Sequence, residues 1–149
     1  MAASAWTVFP RAIKAIGSGS ISLAAAEFRL SLHKTSASAA LLTDISVASQ
    51  VGFEISATGG YVAGGKSLAS PLWTVGTSAG AYKWDATDLV FTASGASLNN
   101  VRYAVIKTSV TPASGLLVAF CALSTAAFTV NNGNTATVQI NSLGIFEVS

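Results

Sequence analysis

The chain has 149 residues, enough for one domain with a substantial core. Only 9% of them are charged, against about 25% in an ordinary soluble domain, and the net charge of +2 sets eight Lys and Arg against six Asp and Glu. No two of those cations are adjacent, which reads as scattered solubilising charge and not as the concentrated basic face that nucleic-acid binding needs, and the lone Cys121 excludes an intrachain disulfide and a thiolate metal cluster.

Residues 5–9 read as a short extended segment. Pro10 then suits the first turn of a brief helix over 11–16, closed by Gly17, with Ile13 and Ile16 as its anchors at i, i+3 spacing. Residues 28–34 alternate Phe28, Leu30 and Leu32 against Arg29, Ser31 and His33, the pattern of a half-buried strand with its polar side outward. Residues 36–50 fit either a helical turn or a loop over one end of the domain. Residues 51–57 read as a strand, 59–65 as a glycine-rich turn, and 66–75 as an extended segment whose Pro71 belongs on an edge or at a bulge.

The clearest strands follow. Residues 83–85 end one strand, 87–93 form a second, 94–100 make a polar connection, and 101–108 form a third that is apolar on both faces. Residues 116–123, LLVAFCAL, are the longest apolar run, far short of the ~20 residues that span a bilayer. Segments 126–130, 135–140 and 145–148 complete the series, with Asn131-Asn132-Gly133-Asn134 as a hairpin signal. Short strands at this spacing, with little helix and no break in composition, predict a single all-β domain over residues 1–149, a β-sandwich with a short N-terminal helix.

The chemistry-bearing residues are sparse. Residues 60–67, GYVAGGKS, match the phosphate-loop pattern, but Pro71, Trp73 and Val75 follow where such a loop needs a helix, so the segment reads as a turn. His33 is the single histidine and reads as a surface or interface residue on the polar side of its strand. Asp85 and Asp88 read as turn caps, and Trp6, Trp73 and Trp84 as aromatic anchors. These residues predict no catalytic, cofactor-binding or metal-binding group, and a protein that is not an enzyme.

Residues 84–88, WDATD, then a short strand, a Gly turn and residues 101–105, VRYAV, resemble a family of small tailed-phage structural proteins. The family includes capsid cement, or decoration, subunits. Residues 9–23, FPRAIKAIGSGSISL, resemble its short opening helix and Gly-rich turn, and residues 58–68, TGGYVAGGKSL, its Gly-Tyr-x-Ala-Gly-Gly-Lys segment. The chain departs from the family in its shortage of acidic residues. The resemblance implies a jelly-roll-like sandwich and a virion structural protein that binds the major capsid protein on the outside of the shell, after assembly in the host cytoplasm. A tail, baseplate or head-fibre component, with a host-sugar site on exposed Trp and Asp, is the alternative.

The shortage of charge adds an expectation of its own. Fourteen Lys, Arg, Asp and Glu leave much of the surface to small neutral and apolar residues, which predicts a homo-oligomer, a dimer or trimer, covered by its neighbours. Segments 2–9 and 145–149 carry apolar residues where free tails are polar. They make Trp6, Val8, Phe9, Ile145, Phe146 and Val148 the candidate interface. Neither nucleic acid nor a membrane is expected as a partner.

Overall fold

The computed structural model describes residues 4–24, 27–108 and 114–149. Its first layer is a five-stranded antiparallel sheet. At its centre lie β2 (Phe28–His33), β8 (Tyr103–Thr108) and β9 (Leu117–Ala122), with β1 (Thr7–Val8) beyond β9 and β3 (Lys66–Ser67) beyond β2. All six residues of β8 are buried, as its two apolar faces require of a strand packed on both sides.

The second layer has β5 (Tyr82–Thr87) between β4 (Ala69–Val75) and β12 (Phe146–Val148). Only Asp88 separates β5 from β6 (Leu89–Thr92), which pairs with β11 (Thr135–Val138). Asp88 accepts the Ile140 N–H at 2.8 Å across this break. Likewise only Arg102 separates β8 from β7 (Leu98–Val101), which pairs with β10 (Phe128–Val130). The Arg102 backbone keeps the ladder through that break, donating to His33 and accepting from Leu123.

The main core lies between the layers. Phe28, Leu30, Leu32, Ala104 and Ile106 meet Trp84, Leu89, Phe91, Val138 and Ile145 there, and the rings of Phe28 and Trp84 stack edge to face at 4.8 Å. Each such ring or aliphatic chain, fully buried, contributes about 1.5–3 kcal/mol. A second core covers the outer face of the five-stranded sheet. Phe9, Leu41, Ile45 and Val51 pack on Tyr103, Val105 and Leu117 beneath α1 (Pro10–Gly17), α2 (Ser38–Leu41) and two 3-10 turns, Thr35–Ala37 and Ala48–Gln50.

Several expectations change. The helix is present with Pro10 in its first turn, but it buries Ala12 and leaves Ile13 exposed. Residues 51–57 do not form a strand, because Gly52 and Phe53 both have positive φ. Only Glu54 bridges to His33. The connection at 94–100 ends in β7, whose Leu98 and Val101 face the core while Asn99 and Asn100 face outward. Pro71 does lie on the edge strand β4, at a register shift between Ala69 and Leu72. The turn at 131–134 forms, with Asn134 N–H on the Asn131 carbonyl, yet it does not close a hairpin. β10 and β11 pair with different neighbours, so the turn carries the chain from one layer to the other.

Candidate protein interface

The polar side of β2 is buried, contrary to the outward-facing reading. Ser31 and His33 lie under residues 48–54, where the His33 Nδ1 is 2.7 Å from the Gly52 carbonyl oxygen and its Nε2 is 2.9 Å from Ser31 Oγ. Burial lowers the His33 pKa from its ordinary value, against the pull of the Gly52 carbonyl and Glu54. The alternating pattern could not reveal this cover, because residues 35–55 form no strand or long helix of their own. Ser31 and His33 are both buried, Ser31 completely.

Beside this pair, the Glu54 carboxylate accepts the Tyr61 hydroxyl at 2.5 Å and the Gly64 N–H at 2.7 Å. Arg29 donates to the Gly65 carbonyl at 2.6 Å and to the Gly64 carbonyl at 3.3 Å. Burial lowers the pKa of nearby Lys107, and Glu54 counters that shift. The glycine-rich segment is thus held from both ends. A side chain at Gly65 would place its Cβ 2.0 Å from the Leu30 carbonyl oxygen, so the backbone itself lies against β2. Strand β3 and then β4 follow it where a phosphate loop would open a helix, and Lys66 donates to the Val90 carbonyl at 2.9 Å.

Of the two expected turn caps, Asp88 lies at the break between β5 and β6 and holds Ile140, whereas Asp85 lies inside β5, where it accepts the Ala86 N–H and pairs with Lys83 at 3.1 Å. Among the described residues no three His, Cys, Asp or Glu side chains gather to hold a metal ion, and no helix is long and apolar enough to cross a membrane.

The terminal segments are used differently from the expectation. Ala2 and Ala3 lie outside the described residues. Trp6 and Ile145 are buried in the main core and Phe9 in the second, where its ring lies 5.0 Å from that of Phe120. These three are spent on the chain's own packing: β1 joins the sheet through β9 and carries its neighbours Trp6 and Phe9 inward, and Ile145 donates its N–H to the Trp84 carbonyl beside β12. Val8 and Phe146 are half-buried against the cores. The structure does bring the two ends together: Trp6 shares a surface cleft with Ile145 and Phe146.

Val148 is the candidate that reaches the surface, and the register shows what surrounds it. Cross-strand pairs put Trp73, Trp84 and Phe146 in one row and Val75, Tyr82 and Val148 in another, two residues along on the same face. The first row turns into the core at Trp84. The second runs past the cover of the opposite layer: Val75, Tyr82 and Val148 are 74%, 58% and 56% exposed, and Trp73 beside them is 39% exposed. The sequence reading gives neither Val75 nor Tyr82 a place in the candidate interface. The sequence marks 66–75 only as extended and 83–85 only as the end of the next strand, and no local pattern shows where the covering layer stops.

No protein-family model matches the chain, and neither does any curated protein or solved structure.

Proposed function

We propose that this chain is a virion structural protein, a cement or decoration subunit that binds the outside of a tailed-phage capsid and stabilises it. The observation that carries the reading is the exposed row of Val75, Tyr82 and Val148 with Trp73 alongside. Apolar side chains abreast on a rigid sheet suit a partner surface, since little ordering is needed on binding. The resemblance in residues 84–88 and 101–105 gives that partner its name, the major capsid protein, and goes with jelly-roll connectivity of the layers. A subunit that binds the assembled shell and not its free parts stabilises the shell by linkage. Self-association as a dimer or trimer would match the symmetric positions of such a lattice.

A tail, baseplate or head-fibre component would use the same row on another partner. Its host-sugar form draws on Trp73, the one tryptophan of the three that reaches the surface. Cryo-EM of intact particles tests the assignment: density for the sandwich on the outer capsid surface supports it, and density on the tail alone overturns it.

A further inference from the structure

The chain changes layer at Leu68. Before it, Lys66 and Ser67 pair with β2, and after it β4 pairs with β5, starting at Ala69 opposite Thr87. No strand is left to flank the continuation of β5. Strand β6 therefore has β11 on one side and, among the described residues, no strand on the other.

A cleft of about 580 Å³ opens here, with Arg29, Lys66, Val62 and Val90 among its lining residues. Both charged residues of its lining are cations. Two acids stand behind that lining and not in it: Glu54 accepts from Tyr61 and Gly64, and Glu27 accepts from Ser67 at 3.4 Å. Val62 and Val90 are exposed at the surface. The Lys66 ammonium is exposed and spends a hydrogen bond on the Val90 carbonyl of the open strand. The edge is open at Val90, while at its far end Gly60 approaches the Thr92 carbonyl and Gly59 accepts the Ser94 N–H.

We propose that this cleft is a docking groove for an extended, acidic peptide segment of a partner protein, which adds to the open edge of β6. A peptide N–H takes over the Val90 carbonyl, and the Lys66 ammonium turns to a peptide carboxylate with Arg29 close by. Each group then has a better-matched partner, because an ammonium bonds a carboxylate more strongly than an amide carbonyl. Main-chain hydrogen bonds supply affinity, and the two cations select the sign of the ligand. Two cations are too few to track a nucleic-acid backbone, while the exposed valines offer contact to the apolar side chains of a peptide.

The test uses the full chain and a fluorescein-labelled octapeptide of alternating valine and aspartate, followed by fluorescence anisotropy. A matched peptide of valine and lysine is the control. The aspartate peptide binds saturably, more weakly as salt is raised, and the lysine peptide does not bind. Lys66→Ala raises Kd about tenfold and Lys66→Glu abolishes binding, both with unchanged thermal melting because Lys66 is exposed. No binding, equal binding of both peptides, or full binding by Lys66→Glu overturns the proposal. So does self-association of the wild type that Lys66→Glu removes, since the occupant would then be a second copy.

Discussion

The Tyr61 hydroxyl donates to Glu54 at 2.5 Å and at the same time accepts the backbone N–H of Leu32 at 3.0 Å. One side chain therefore closes the edge of β2 past the point where β3 ends, and also holds the half-buried acid of the polar cluster. Burial and the neighbouring carboxylate push the Tyr61 pKa far upward, so the phenol remains a donor throughout the working range. Tyr61→Phe keeps the ring against Phe91 but leaves Leu32 N–H and Glu54 short of a partner. The expected loss is about 1–3 kcal/mol, read as a lower urea midpoint with an unchanged slope.

His33 predicts a pH dependence. Its folded pKa lies below its ordinary value of 6.5, chiefly through burial, so the unfolded chain binds the proton more readily. The stability it contributes is whole above pH 6.5 and is lost as pH falls from there through the folded pKa. Glu54, Lys107 and the Gly52 carbonyl face the ring and set how far down that window reaches. His33→Gln should flatten the fall in unfolding free energy between about pH 7 and pH 5. An equally steep fall in the variant would assign it to other groups.

Phe9 belongs to the fold and not to a free arm. It is 1% exposed and sits in the second core. Phe9→Ala should cost about 3–5 kcal/mol in chemical denaturation. A loss below about 1 kcal/mol would mean that the N-terminal segment is dispensable to the sandwich.

Cys121 sits in the main core on β9, and burial pushes its thiol up to about 12. Iodoacetamide should label it slowly in the native protein and quickly in denaturant, because the thiolate is the reacting form. Equal rates would show that β9 opens readily.

Much of the fold was legible because its strands carry their own signals. The two-faced apolar pattern of 101–108 placed β8 at the centre of a sheet, and Pro71 marked its segment as an edge or a bulge, both of which β4 shows. What the sequence hid depends on the partner of each residue. Ser31 and His33 look outward until residues 48–54 are laid over them. The 131–134 turn looks like a hairpin until β10 and β11 find separate neighbours. Trp6, Phe9 and Ile145 look sticky because they are core residues near the ends of a chain, where sequence position alone imitates an interface. The exposed row at Val75, Tyr82 and Val148 depends on the register of three strands distant in sequence, which no local pattern records.

The central claim is that this row fastens the protein to a capsid. Co-sedimentation with phage particles stripped of the protein tests it most directly, comparing the wild type with the double variant Val75→Asp, Tyr82→Asp. Both positions are exposed, so the variant should melt as the wild type does. The account predicts that the wild type pellets with the particles and saturates, while the double variant stays in the supernatant. A double variant that pellets as fully as the wild type would contradict it.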